Sequence, residues 1–83
     1  MDKILVKLYL PMIEQQYDIL IPKNRKIYSL VKLIAKAIYE LSDGNYNPST
    51  IPTLYDKLSG RAYDYNSNVK DTNIKNGTEI VML

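Results

Sequence analysis

Cysteine and histidine are both absent from this 83-residue sequence, as are phenylalanine and tryptophan. Without cysteine the chain has no disulfide and no thiolate zinc site, which fits a cytoplasmic protein better than a secreted one. Without histidine it also lacks the commonest general base and the commonest transition-metal ligand. Glycine occurs only three times, and no glycine-rich phosphate loop is present. We therefore expect a cytoplasmic protein that is not an enzyme and that holds no cofactor and no metal.

Long hydrophobic runs are missing as well. No apolar stretch approaches the roughly 20 residues needed to span a bilayer, and the opening "MDKILVKLYLPM" lacks the features of a signal peptide. We expect no direct membrane insertion. The composition, 46% hydrophobic and 24% charged, predicts that residues 1–83 fold as a single domain. A net charge of +2 is too small to indicate a nucleic-acid partner by itself.

Apolar residues that alternate with a period of two open the chain. In "KILVKLYL" every even position is apolar, which predicts a strand with one buried face, ended by Pro11. A second strand is predicted in "YDILIP", residues 17–22, where Tyr17, Ile19 and Ile21 share one face. The short connection between the two strands favours an antiparallel hairpin.

The period then changes to that of an amphipathic helix. Apolar residues recur with the spacing of one helix face, at Ile27, Leu30, Val31, Ile34, Ala37, Ile38 and Leu41. We predict a helix over about residues 25–41, with Asn24 as the N-cap and Asp43-Gly44 as the C-terminal stop.

Short elements are predicted for the second half of the chain. A polar loop is predicted over residues 42–52, short strands over 53–58 and 61–65, a tight turn over 68–74 and a last strand over 78–83. The element order predicts an α+β fold, in which one helix packs across a mixed sheet of four to five strands. The helical connection lets the first and last strands lie parallel and adjacent in the middle of the sheet.

The end of the chain resembles a known fold. In "NVKDTNIKNGTEIVML", an apolar–x–Asp–x–Asn–Ile pattern is followed by a turn and an alternating strand, as in the ubiquitin-like β-grasp; it is carried by Val69, Asp71, Asn73, Ile74, Ile80 and Met82. Within that superfamily, "YLPMIEQQYDILIP" and "IKNGTEIVML" look closest to the YukD/EsaB family, small bacterial ubiquitin-like proteins encoded with type VII secretion systems. The resemblance implies a cytoplasmic accessory or regulatory protein that binds a protein partner, with a secretion-system component as one candidate.

Ubiquitin and the sulfur-carrier β-grasp proteins react through a C-terminal Gly-Gly that extends beyond the last strand. Here Leu83 follows Met82 without a glycine. The comparison implies a protein that is not conjugated.

The sheet face away from the helix is the first candidate site. If the even positions of the first strand face the helix, Leu5 and Tyr9 face outward, together with Leu20 and Val81 on the neighbouring strands. We expect Leu20, Leu5 and Val81 to lie side by side, flanked by Lys3, Lys7 and Asp18. Contiguous exposed apolar residues usually mark an interface. The alternatives are scattered surface residues, or a face covered by the loop of residues 42–52.

Two further surfaces are considered. The basic segment Lys23, Arg25 and Lys26, at the predicted helix start, is a second-choice site for an anion or an acidic partner, and its alternative is a solvated loop. A different class of function, binding of single-stranded nucleic acid, would use stacking tyrosines in the second half, at Tyr46, Tyr55, Tyr63 and Tyr65. Asp56 and Asp64 lie among these tyrosines and would repel phosphate, so no nucleic acid is expected.

Overall fold

The structure is a computed structural model that describes residues 3–83. The regular elements are four strands and one α-helix: β1 (Lys3–Leu10), β2 (Gln15–Pro22), α1 (Ile27–Leu41), β3 (Leu54–Asp56) and β4 (Glu79–Met82). Two short 3-10 turns lie at Pro11–Ile13 and Val69–Asp71. Within the described residues no helix is long and apolar enough to cross a membrane.

The four strands form one mixed sheet in the order β2-β1-β4-β3. β1 is antiparallel to β2 and parallel to β4, and β3 is antiparallel to β4. The prediction that the first and last strands lie side by side is confirmed, as is the α+β fold. The strand predicted over residues 61–65 is wrong: within that stretch a single bridge joins Ala62 to Tyr55.

The core lies between one sheet face and α1. Because side chains alternate along a strand, all four even positions of β1 are buried, as the period of two predicts. They pack with one face of α1 and with Ile80 and Met82 of β4. The buried residues of these elements are Ile4, Val6, Leu8, Leu10, Ile21, Ile27, Leu30, Val31, Ile34, Ile38, Leu54, Ile80 and Met82.

The hairpin between β1 and β2 is tighter than the sequence predicts. The pairing register continues without a break to Leu10 opposite Gln15, so β2 begins two residues before Tyr17. The chain reverses direction through the turn Pro11–Ile13 and the next residue, Glu14. Glu14 has a φ of 51°, which lies in the left-handed region. The result is a long two-stranded ribbon with β2 at the edge of the sheet.

The start of α1 differs from the prediction. The helix begins at Ile27 with Lys26 as its N-cap, and Asn24 does not cap it. Instead, the first helical N–H groups donate to a neighbouring segment: Ile27 N to the carbonyl of Ser67 at 2.8 Å, and Tyr28 N to that of Tyr65 at 3.0 Å. Tertiary hydrogen bonds therefore satisfy the donors that a side-chain cap would otherwise serve.

The end of α1 is as predicted. Gly44 has a φ of +79°, in the region that favours glycine, and its N–H donates to the carbonyl of Tyr39 at 2.8 Å. The loop that follows is polar in composition, but it contributes one side chain to the core. Tyr46 is only 1% exposed and belongs to the core cluster. Its N–H donates to the Ser42 hydroxyl at 2.9 Å, which ties the loop to the helix end.

The predicted tight turn near the end of the chain is confirmed. Val69 in the Val69–Asp71 turn and Ile74 just beyond it are both buried in the core cluster. The Asn76-Gly77 turn then leads into β4, with Gly77 at a φ of +88°.

Candidate functional site

The outer sheet face, formed by the side chains that point away from α1, is where the sequence places its first candidate site. Odd positions of β1 lie on this face, since the even positions are buried. The register between strands shows which side chains are neighbours across the face. Three successive rows of side chains cross the outer sheet face. The first row is apolar, the second is charged and the third is partly aromatic.

The first row consists of Leu5 and Leu20. These residues are direct partners in the β1–β2 ladder, and their exposed fractions are 46% and 64%. On the other side of Leu5 lies the turn before β4, whose Asn76 Oδ1 accepts a hydrogen bond from Leu5 N at 2.8 Å. Gly77 N donates to the carbonyl of Leu5, also at 2.8 Å. The two leucines therefore form a small exposed apolar pair that the loop of residues 42–52 does not cover.

The neighbour predicted for Val81 on β1 is wrong. Val81 pairs with Tyr9, not with Leu5, because the parallel register sets Lys7 opposite Glu79 and shifts the strand accordingly. Val81 also pairs with Tyr55 of β3, and the three side chains are half-buried. Tyr9 and Val81 are thus on the predicted face but in a separate apolar row.

A charged row separates the two apolar rows. Asp18, Lys7 and Glu79 are successive partners across β2, β1 and β4. Lys57 continues the row, with its Nζ 3.2 Å from Glu79 Oε1 and 6.0 Å from the centre of the Tyr9 ring. Two carboxylates and two ammonium groups leave the row without net charge, so it suits the mixed polar rim of a protein interface better than a polyanion.

Glu79 and Lys57 are functional candidates that the sequence reasoning missed. The alternation of β4 puts Glu79 on the same face as Val81, so that signal was present. The pairing of Lys57 with Glu79 depends on the turn after β3 and has no sequence signature. Lys3, the last predicted member of the site, is exposed at the end of β1 opposite Pro22.

The basic segment Lys23, Arg25 and Lys26 has a structural role through its backbone. The carbonyl of Arg25 accepts a hydrogen bond from Val69 N at 2.8 Å, and that of Lys23 accepts one from Lys70 N at 3.2 Å. The three side chains are exposed. This segment lies where β2 passes into α1, away from the β4 side of the outer sheet face.

The tyrosines of the second half do not form an open stacking platform. Tyr46 is buried in the core, and Tyr55, Tyr63 and Tyr65 are half-buried. Tyr65 donates its hydroxyl to the carbonyl of Pro52 at 2.7 Å and meets the Tyr28 ring edge to face, with 5.6 Å between ring centres. The interpretation of Tyr46 as a stacking residue is wrong, since its ring faces the core.

Tyr63 belongs to a chain of side-chain hydrogen bonds. Its hydroxyl donates to Asn73 Oδ1 at 2.8 Å, and Asn73 Nδ2 donates to Asp56 Oδ2 at 3.1 Å. The bond from Asn73 is the main cause that lowers the pKa of Asp56. Burial, together with the negative charge of Asp56, raises the pKa of Tyr63 to about 12.

We predict that Tyr63 ionises late in an alkaline titration. Because its pKa is higher in the folded state than the value of about 10 in an unfolded chain, its contribution to stability is fully present below about pH 10 and is lost as the pH rises towards about 12. The measurement is the ultraviolet absorbance of tyrosinate in wild type and in Tyr63→Phe. The difference between the two curves should show a single late step, and a difference centred at the ordinary tyrosine pKa would contradict the prediction.

Comparison with solved structures identifies the fold. The ubiquitin-like domain of the Mycobacterium tuberculosis type VII secretion system protein EccD1 matches with a TM-score of 0.77 and 8% identity, over 100% of this chain and 99% of that one. A chain of the MycP5-free ESX-5 inner membrane complex matches with a TM-score of 0.78 and 11% identity, over 98% of this chain but only 20% of its own length. No model of a known protein family and no curated protein sequence matches.

The same fold also occurs in a different setting. A chain of a toluene 4-monooxygenase complex matches with a TM-score of 0.79 and 8% identity, over 98% of this chain and 96% of that one. At such identities the likeness establishes fold alone. The chain has the ubiquitin-like β-grasp fold, and its structural neighbours include ubiquitin-like domains of type VII secretion proteins.

Proposed function

We propose that this chain is a cytoplasmic protein-binding module that serves a bacterial type VII secretion system as an accessory or regulatory component, as in the YukD/EsaB proteins that it resembles. The observation that carries the proposal is the exposed Leu5–Leu20 pair on the outer sheet face. Burying two such side chains against a partner is favourable, and nothing in residues 3–83 covers them. The structural neighbours from secretion proteins support the setting.

The charges on the outer sheet face suit the binding of a protein, and that the chain is not an enzyme stays a prediction. The only ion pair within the described part of the chain joins Lys57 to Glu79 on the outer sheet face, where it is exposed to solvent. The charged row next to the leucine pair gives a partner polar groups of both signs, which favours a defined orientation of the bound protein. That the chain is not conjugated stays a prediction.

The proposal is tested by affinity capture from the native cytoplasm with the protein tagged ahead of Met1. Leu20→Asp and Leu5→Asp each place a charge in the proposed interface. We expect each to reduce recovery of secretion components at least tenfold, since a central contact is worth about 2 kcal/mol or more. Leu58→Asp is the matched control, because Leu58 is 91% exposed and lies in the turn after β3.

The outcomes separate the parts of the proposal. All variants are first compared with wild type by circular dichroism, so that loss of capture is not loss of folding. Recovery of secretion components by wild type and Leu58→Asp alone supports both function and site. Equal recovery by every variant contradicts the site, and a wild type that captures no secretion component contradicts the function.

A further inference from the structure

Positive charge is concentrated in one segment of the chain. Residues 19–39 contain no aspartate and no glutamate, but they contain five basic residues: Lys23, Arg25, Lys26, Lys32 and Lys36. The other residues hold six basic and nine acidic side chains, which leaves them a net charge of −3, against +2 for the whole chain. Such an uneven distribution creates a field that turns the basic side of the molecule towards an anionic partner.

Three of these cations lie together beside α1. Arg25, Lys32 and Lys36 line one shallow depression together with Tyr28 and Ser29, on the side of the helix that is exposed to solvent. The opposite side of α1 is buried in the core. Exposed residues three or four positions apart lie next to each other on a helix, so this surface continues along α1. We call it the outer helix face, and it consists of Arg25, Tyr28, Ser29, Lys32, Lys36 and Tyr39.

The positive charge of the outer helix face is not neutralised by neighbouring carboxylates. Within residues 3–83 none of its three cations is in an ion pair. Glu40 follows Lys36 by one helical turn and is the first acidic residue of α1. Asp64 and Asp71 precede and follow the residues that bond to the helix start, and each accepts a hydrogen bond from an asparagine in that segment, at 2.9 and 3.4 Å. Cations without a partner on an exposed face are complementary to an anionic surface.

The side chains of this face suit lipid headgroups better than a protein or a nucleic acid. Lysine is depleted from protein interfaces, whereas here two lysines lie at the centre. Tyr28 is not available to stack on a base, because Lys32 Nζ lies 5.3 Å from its ring centre and the Tyr65 ring meets it edge to face. Tyr28 and Tyr39 are 40% and 47% exposed. Tyrosine and lysine are side chains that lie at the headgroup level of a bilayer, with an apolar body and a polar end.

We propose that the outer helix face binds the surface of an anionic lipid bilayer. Arg25, Lys32 and Lys36 would contact the phosphate groups of the headgroups, and the two tyrosines would lie among them. Binding would be peripheral, because the apolar side of α1 stays in the core. The outer sheet face lies on the other side of the sheet from α1, so it would stay open to a protein partner. The proposal does not depend on the secretion setting.

The test is sedimentation of the full chain with lipid vesicles. Vesicles of phosphatidylcholine alone are compared with vesicles that contain about 30% of the anionic lipid phosphatidylglycerol. We expect binding to the anionic vesicles only. Because salt screens the attraction, the bound fraction should fall several-fold between about 50 and about 200 mM salt. Equal binding to both kinds of vesicle, or no binding to the anionic vesicles at low salt, would overturn the proposal.

Matched charge reversals locate the surface. The double variant Lys32→Glu with Lys36→Glu should weaken binding to the anionic vesicles by about tenfold or more, since each cation near such a surface adds to the attraction. Arg61→Glu with Lys75→Glu gives the same net charge, but these residues follow β3 and precede β4, so binding should weaken much less. Lys32→Arg with Lys36→Arg should bind as wild type does. Circular dichroism checks that each variant is folded, and equal weakening by the two glutamate pairs would contradict the assigned surface.

Fluorescent labels report which side of the molecule faces the bilayer. Because the chain has no cysteine, Ser29→Cys and Leu58→Cys each give a single attachment point for an environment-sensitive dye. Ser29 is exposed on the outer helix face, and Leu58 is 91% exposed in the turn after β3. Anionic vesicles should shift the emission of the first dye to the blue and leave the second nearly unchanged, and the reverse result would contradict the proposal. Binding to polyglutamate or to a single-stranded oligonucleotide, with the anionic vesicles left unbound, would assign this face to another partner and contradict it as well.

Discussion

Replacing Tyr46 by alanine is expected to lower the free energy of unfolding by about 3–5 kcal/mol, the range for removing a large aromatic side chain from a core. Tyr46 is 1% exposed and is the largest of the fully buried side chains, although it belongs to a loop. Its ring joins the cluster beneath the sheet, and Ser42 holds its backbone at the end of α1. Alanine would leave a cavity that the tied loop has little freedom to fill.

The measurement is equilibrium unfolding in urea, with Tyr46→Phe as the control. Phenylalanine keeps the ring, and it removes the hydroxyl whose pKa is raised by burial. We expect the phenylalanine variant to lie within about 1 kcal/mol of wild type, as for a nearly volume-conserving exchange. A loss below about 1 kcal/mol for alanine would show that the loop does not seal the core.

The second large effect separates the two faces of β1. Leu8→Ala should cost about 2–5 kcal/mol, because Leu8 is fully buried at the centre of the sheet, between Tyr17 of β2 and Ile80 of β4. Leu5→Ala should cost less than about 1 kcal/mol, since it loses mainly the cross-strand contact with Leu20. Leu5 and Leu8 are the same residue type on the same strand. The difference between their losses of unfolding free energy therefore shows which face of β1 packs against the core.

Urea unfolding of the two alanine variants measures this difference. Equal losses would mean that Leu5 is committed to internal packing and is not available to a partner, which would remove the basis of the proposed interface. A small loss of unfolding free energy for Leu5→Ala would mean that the Leu5 side chain is available for binding. It would also mean that variants at Leu5 stay folded in the capture experiment.

Short-range patterns explain what could be predicted from the sequence. The alternation in β1 and the helical spacing from Ile27 to Leu41 are local signals, and the structure confirms both elements. The β-grasp topology followed from the element order together with the chain-end pattern. The N-cap at Asn24 failed because residues 65–70 supply hydrogen-bonding groups to the helix start and to the segment before it, and no local pattern reports such a contact.

The errors at the candidate site have the same origin. The alternation of apolar and polar residues along each strand predicted which side chains point outward. Leu5, Tyr9, Leu20 and Val81 were therefore assigned to the correct side of the sheet. Their order across the face depends on the β1–β4 register, which is set by the Asn76-Gly77 turn and by packing far away in sequence. Tyr46 was missed because a polar loop composition hides a single buried ring.

The central position of β4 also constrains how the chain acquires its structure. Its partners are β1, from the opposite end of the chain, and β3, which pairs with no other named strand of residues 3–83. The β1–β2 hairpin and α1 can form from nearby residues, whereas the remaining sheet must wait until residues 79–82 are inserted between β1 and β3. Closing so long a loop is costly in entropy, and contacts between distant residues slow folding. During synthesis the hairpin and the helix would therefore be made first, and their apolar faces would stay open until residues 79–82 emerge from the ribosome.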